Sequence, residues 1–124
     1  MSNPLSDLIA EKGVLLADGA TGTNLFEMGL MAGEAPELWN EQQPEKITEL
    51  HRGFVDAGAD IILTNSFGGT RHRLKLHHAQ DRVFDLNKRA AELARAVADK
   101  ADHKVIVAGS VGPTGELLIP LGAL

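Results

Sequence analysis

The chain contains three short apolar runs, and each run is followed by a group of small polar residues. The runs lie within residues 14–17, 60–64 and 104–108. Their apolar residues are consecutive and do not alternate with polar ones, which is typical of parallel strands covered on both faces. The pattern therefore predicts three parallel strands.

Two longer segments between these runs repeat apolar residues at helical spacing. The first begins at Pro44, and the second extends from about residue 81 to residue 100. The positions expected to face inward are Ile47, Leu50, Phe54, Ala57, Val83, Leu86, Ala90, Leu93, Ala94 and Val97. Shorter helices are predicted over residues 6–12 and 24–30, with a long loop over residues 31–43. This alternation predicts one α/β domain over residues 1–124, with about three right-handed βα units around a parallel sheet.

The loops after the strands are the expected ligand site, because the carboxyl ends of parallel strands gather at one end of the sheet. Asp18, Asn65 and Ser110 follow the three strands and should converge there. A carboxylate at the end of a buried strand needs a cation or several donors, which the amino group of a small substrate supplies. The backbone N–H groups of residues 19–23 are suited to an anionic group, so this turn is predicted to bind a zwitterion.

Each of these residues also has a purely structural interpretation. Asp18 is equally suited to cap a helix that begins near Ala20, and Asn65 to form an Asx turn. Phe67 is predicted to lie in the core, and Trp39 either anchors its loop or forms the wall of a pocket. The five histidines lack metal-site spacing and are predicted to be surface residues or residues with satisfied hydrogen bonds.

Composition excludes several classes of function. A net charge of -5 and a pI near 5.4 give no reason to expect nucleic acid or an anionic membrane as a partner. The basic segment at residues 71–78 is predicted to be a solvated helix face. Neither a membrane span nor a secretory signal is evident, so a cytoplasmic location is the expectation. The absence of cysteine excludes a disulfide framework and any thiolate metal site built by this chain alone.

Four ordered motifs carry a family resemblance: LLADGATGTNL, ELWN, PEKITELHRGFVDAGADIILTNSFGGTRHRL and IVAGSVGPTG. Together they resemble the amino-terminal part of the homocysteine S-methyltransferase family. That family includes betaine-homocysteine methyltransferase, S-methylmethionine-dependent enzymes and the homocysteine-binding domain of methionine synthase.

The resemblance implies a (β/α)8 TIM barrel that forms methionine by methyl transfer to the zinc-activated thiolate of homocysteine. It implies that Asp18 binds the homocysteine amino group, with the Gly19 and Ala20 amides near the carboxylate. Asn65 would lie near the floor of the site and the metal. Trp39 falls where betaine-using members hold a quaternary ammonium. Gly68 replaces an aromatic residue of those members, so betaine, S-methylmethionine and a methyl-folate or cobalamin donor all stay open.

A complete barrel needs about 250 residues, and the three cysteines that hold zinc in this family lie in later strands. The expectation is therefore an amino-terminal portion that is inactive alone. An uncovered apolar edge predicts a homo-oligomer or association with the remaining barrel half. Two alternatives differ in class. One is a non-catalytic α/β module that binds a small anion or a partner protein, and the other is a barrel enzyme with a phosphate-binding turn at residues 19–23.

Overall fold

The computed structural model describes residues 3–124 and shows a mixed α/β arrangement. Its α-helices are α1 (Pro4–Lys12), α2 (Thr21–Glu27), α3 (Trp39–Gln42), α4 (Pro44–Asp56), α5 (Arg71–Leu74) and α6 (Val83–Asp99). Its strands are β1 (Ile61–Leu63) and β2 (Ile106–Ala108), and 3-10 helices cover Pro36–Leu38, Lys75–His77 and Gln80–Arg82. None of the helices within residues 3–124 has the length and apolar character that a membrane crossing requires.

The two strands form a parallel pair, as the apolar runs predicted. Ile61 pairs with Ile106, Ile62 with Val107, and Leu63 with Ala108. Helix α6 provides the crossover between them and packs against α4 on the sheet. This βα order brings the carboxyl ends of both strands to the same end of the sheet.

The predicted first strand is only partly formed. Ala17 makes an isolated parallel bridge to Ile61, on the side of β1 away from β2. The Leu16 carbonyl accepts from the N–H groups of both Asp60 and Ile61, at 2.7 and 3.1 Å, so a regular ladder does not continue. The prediction of a strand covered on both faces is wrong, because Val14 is 83% exposed and Leu16 is 56% exposed.

An ion pair at the amino end of β1 holds the 14–18 segment in place. Lys12 Nζ lies 2.5 Å from Asp60 Oδ1, and the Leu16 N–H donates to Asp60 Oδ2 at 2.9 Å. The hydrogen bond from Leu16 and the interaction with Lys12 lower the pKa of Asp60. The carboxylate thus ties α1 and the 14–18 segment to β1, and Asp18 emerges at the opposite end of the strand.

Two apolar clusters within residues 3–124 contain residues of both α4 and α6. The cluster against the sheet contains Val55, Ala59, Ile62, Ala94, Val97, Ala98 and Val105. The cluster beneath α2 contains Leu25, Leu30, Trp39, Ile47, Leu50 and Leu93. The predicted inward faces are confirmed for most positions. Ala57 is an exception and is exposed, because α4 ends at Asp56.

Two further predictions about the polypeptide are wrong. Residues 31–43 are not a simple loop, since they contain the Pro36–Leu38 turn of 3-10 helix and α3. His51 is neither a surface residue nor a satisfied one: it is 2% exposed, and neither ring nitrogen has a hydrogen-bond partner within residues 3–124. It occupies the inner face of α4, one turn from both Ile47 and Val55.

Candidate functional site

A cavity of about 490 Å³ opens at the carboxyl ends of the strands. Its lining consists of residues 19–22, 34–37 and 63–68, together with Arg73, His77 and Ser110. The expected convergence of the three strand-end segments is therefore confirmed. Asp18 is not itself a lining residue, but it contacts Leu63, which is one.

Asp18 has one carboxylate oxygen satisfied and one unsatisfied. The Leu63 N–H donates to its Oδ2 at 3.1 Å, whereas its buried Oδ1 has no partner within residues 3–124. Burial raises the pKa of Asp18, and the hydrogen bond from Leu63 offsets part of that rise. A buried carboxylate oxygen without a donor is an acceptor of the kind that an ammonium group binds.

The helix-cap interpretation of Asp18 is wrong. The residue at the N-cap of α2 is Ala20, and within residues 3–124 the helix has no side-chain hydrogen bond at this cap. Ala20 has φ 49° and ψ 32°, a left-handed conformation that costs a residue other than glycine about 1–2 kcal/mol. Gly19 and Ala20 both line the cavity, so the turn presents its backbone to any ligand there.

Asn65 is buried and joins two segments of the cavity wall. Its Nδ2 donates to the Pro36 carbonyl and to Asn40 Oδ1, both at 2.9 Å. Asn40 Nδ2 donates back to the Asn65 carbonyl at 2.9 Å and to the Leu86 carbonyl at 3.2 Å. The Asx-turn interpretation of Asn65 is wrong, because within residues 3–124 its Oδ1 accepts no backbone N–H from the residues that follow it, and its Nδ2 donates to residues distant along the chain.

A hydroxyl network joins the ends of β1 and β2. Thr64 Oγ1 and Ser66 Oγ lie 2.6 Å apart, and Ser66 Oγ donates to the Ser110 carbonyl at 2.8 Å. The Ser110 N–H donates to Thr64 Oγ1 at 3.0 Å. These bonds hold the loops after the two strands in one arrangement.

Sequence reasoning missed Glu37 and misplaced Phe67. Glu37 lines the cavity although it is only 5% exposed, and its Oε1 accepts from the Gly68 N–H at 2.6 Å. Phe67 is 61% exposed and lines the cavity, so its predicted place in the core is wrong. The Gly68-Gly69 pair was the available signal, because adjacent glycines mark a backbone that other groups approach closely.

The sequence model for homocysteine S-methyltransferase matches residues 15–123. This chain belongs to the homocysteine S-methyltransferase family. The resemblance of its motifs to that family is thereby confirmed.

Two methionine synthases are similar to this chain in sequence. The chain is 35% identical to methionine synthase of Mycobacterium leprae (strain TN) and 34% identical to that of Mycobacterium tuberculosis (strain ATCC 25618 / H37Rv), over 122 residues each. Each match covers 91% of this chain but 10% of the relative's length.

Solved structures of the homocysteine methyltransferase MmuM from Escherichia coli are similar in fold as well as in sequence. The oxidized form matches with a TM-score of 0.75 and the metallated form with 0.76, each at 32% identity. The matches cover 92% and 91% of this chain, and 42% of the MmuM chain in both cases. The chain therefore spans less than half of these family members.

The three-cysteine zinc site that the resemblance implied does not fit the residues of this homocysteine S-methyltransferase family member. The sequence contains no cysteine. Within residues 3–124, no group of three or more histidine, aspartate or glutamate side chains is placed to hold a metal ion. The cysteines of such a site would have to come from outside this chain.

Trp39 occupies the core and is absent from the cavity lining. It packs with Leu25 and Leu50, and Lys46 Nζ lies 4.8 Å from the centre of its ring. This geometry matches the loop-anchor interpretation. Because the ring is buried and the chain's own lysine lies over it, the structure offers no support for a quaternary ammonium at Trp39. A contact between Trp39 and a substrate in this family member stays a prediction.

Proposed function

We propose that this chain supplies the loops that bind homocysteine in a homocysteine S-methyltransferase, which forms methionine. The observation that carries the proposal is the buried, unsatisfied Oδ1 of Asp18, whose carboxylate accepts from Leu63 and whose next residue is Gly19, both of which line the cavity at the strand ends. Family membership supplies the reaction class, and Asp18 supplies a reason for a substrate with an amino group.

The chemistry of the amino acid suits this end of the sheet. At neutral pH the homocysteine amino group is a cation with three N–H donors, and a charge-assisted bond to Asp18 Oδ1 would remove the unsatisfied acceptor. The cation would also lower the raised pKa of Asp18. The Gly19 and Ala20 backbone would then lie beside the substrate carboxylate, and Asn65 nearer the thiol end, as the family resemblance implies.

The methyl-transfer step itself needs groups that this chain lacks. The homocysteine thiol gives up its proton to solvent and its sulfur forms a bond to the methyl carbon, while the donor leaves with the electron pair of the bond that breaks. No cysteine is available here to hold a metal that lowers the pKa of the thiol. We therefore assign amino-acid binding to these residues and thiol activation to a partner chain or further polypeptide that completes the site. The methyl donor is not assigned.

The test compares two ligands that differ only in the amino group. The 15N-labelled 124-residue chain is titrated with L-homocysteine and with 4-mercaptobutanoate, and amide shifts of residues 18–22 and 63–68 are followed. We expect L-homocysteine to bind about tenfold or more tightly than 4-mercaptobutanoate, because a hydrogen bond to a charged group contributes about 1.5–3 kcal/mol. Asp18→Asn should abolish this preference.

The matched control is Asp56→Asn, which changes an exposed carboxylate outside the cavity and should leave the preference intact. Equal affinity of the unmodified chain for both ligands would remove Asp18 from the site. Phosphate binding at residues 19–23 without homocysteine binding would instead favour an anion-binding module.

A further inference from the structure

We propose that Glu37 is a positioning residue for this cavity: its buried carboxylate holds the Gly68 N–H and thereby fixes the loop of residues 65–69 that presents Phe67 and Asn65. The consequence for homocysteine affinity rests on the proposed function. The Glu37–Gly68 contact and its effect on the loop do not depend on any ligand.

The contact is short and mostly removed from solvent. Glu37 Oε1 lies 2.6 Å from the Gly68 nitrogen, and the glutamate is 5% exposed. Burying a carboxylate is costly unless donors replace its water, and a hydrogen bond from a backbone N–H to an ionised acceptor is among the stronger kinds. Within residues 3–124, Glu37 forms no salt bridge with a lysine, arginine or histidine. The Gly68 N–H is the donor that its carboxylate contacts.

A side chain at Gly68 would crowd the carboxylate of Glu37. A Cβ added to Gly68 would lie 2.9 and 3.1 Å from the two carboxylate oxygens of Glu37 and 3.2 Å from its Cδ. The φ of Gly68 lies outside the left-handed region, so the backbone itself would accept alanine. A Cβ at this position would therefore require the Glu37 carboxylate to move from its contact with the Gly68 N–H.

The loop is already tied at both ends, and Glu37 holds its middle. At one end the Asn65 side chain donates to the Pro36 carbonyl at 2.9 Å. At the other end Asn87 Nδ2 donates to the Gly69 carbonyl at 2.8 Å. Glu37 acts between these ends, directly beside Phe67, whose exposed ring lines the cavity. Loss of this contact would release the segment that carries the ring while its ends stay attached.

The experiment separates loop positioning from general stability. In the 15N-labelled 124-residue chain we measure amide hydrogen exchange at Gly68, amide shifts of residues 65–69 and the affinity for L-homocysteine. The variants are Glu37→Gln, Glu37→Ala, Gly68→Ala and Glu37→Ala/Gly68→Ala. The control is Glu41→Ala, which removes an exposed ion pair with Arg82 outside the cavity.

Glutamine keeps an acceptor oxygen at the same reach, whereas alanine removes it. We expect Glu37→Ala to speed Gly68 exchange and to weaken homocysteine binding by about tenfold each, with Glu37→Gln within about threefold of the unmodified chain. Gly68→Ala should shift the loop amides and weaken binding in the unmodified background, but have no added effect when Glu37 is alanine. Glu41→Ala should leave exchange, shifts and affinity unchanged.

Unchanged Gly68 exchange in Glu37→Ala, or additive effects of the two alanine substitutions on the loop shifts, would overturn the proposal. Equal loss of affinity in the glutamine and alanine variants would also overturn it. If the unmodified chain does not bind homocysteine, the proposed function fails instead. Exchange and loop shifts then still decide the role of Glu37.

Discussion

His51 shows how a single buried side chain makes the stability of this protein depend on pH. Burial lowers the pKa of His51 from 6.5 to about 4, so the ring is neutral at pH 7. The unfolded chain binds a proton at His51 as the pH falls below about 6.5, whereas the folded chain does not until about pH 4. The neutral-ring contribution to stability is therefore present above pH 6.5 and is lost as the pH falls through this window.

We predict that His51 removes about 2 kcal/mol from the unfolding free energy between pH 7 and pH 5, at about 1.4 kcal/mol per unit of pKa difference. Urea unfolding of the unmodified chain and of His51→Leu at both pH values measures this contribution as a difference between the two proteins. His78→Asn is the control, since His78 is exposed and asparagine tolerates its left-handed backbone. Parallel pH dependence of the unmodified chain and His51→Leu would contradict the prediction.

The residues of the candidate site differed in how far sequence could identify them. Asp18 and Asn65 stand directly after apolar runs, so their place at the strand ends was predictable. Glu37 was not, because its partner Gly68 is 31 positions away and no local period connects them. His51 fits the helical period of α4. Histidine is a titratable residue and is more often found at the surface than in the core, so its burial became evident only from the tertiary packing.

At the scale of elements, small residues set how closely α6 approaches the rest of the core. Ala90 and Ala94 are fully buried, and Ala94 belongs to the cluster that contains Val55 of α4 and Ile62 of β1. We predict that Ala94→Leu lowers the unfolding free energy by about 1–3 kcal/mol, because a close-packed interior has no room for the added atoms.

The matched control for this prediction is Ala91→Leu, which makes the same change on the exposed face of the same helix. It should alter the unfolding free energy by no more than about 0.5 kcal/mol. Urea unfolding of both variants at pH 7 provides the comparison. A similar loss in the two variants would point to helix propensity instead of packing.

The elements that sequence predicted well are those with long periodic patterns. Helices α4 and α6 bury one face each, and a 3.6-residue period over 13 and 17 residues is difficult to mistake. The 14–17 run was over-interpreted, since an apolar run cannot show whether another layer covers it. The 31–43 segment failed for a different reason: its helical turns are three and four residues long, too short to display a period.

At the scale of the whole molecule, several large apolar side chains are exposed between residues 111 and 121. The large hydrophobic residues Val111, Leu117, Leu118, Ile119 and Leu121 are all exposed. Strand β2 pairs only with β1 within residues 3–124, so its other edge offers unpaired backbone groups. Exposed apolar patches and open strand edges both favour association with another chain, in line with the sequence-based expectation of an oligomer or a partner.

We therefore predict concentration-dependent self-association of the purified chain, measured by sedimentation equilibrium at pH 7. Leu118→Ser/Leu121→Ser should weaken it by about tenfold or more, since each buried leucine side chain contributes about 1.5–3 kcal/mol to a contact. Leu76→Ser/Phe84→Ser removes two exposed apolar side chains elsewhere and should leave association unchanged. Because all four residues are exposed, neither variant should change the unfolding free energy by more than about 0.5 kcal/mol per substitution. The prediction fails if the chain stays monomeric at all concentrations. It also fails if both variants weaken association equally, because the exposed apolar residues between 111 and 121 would then not drive it.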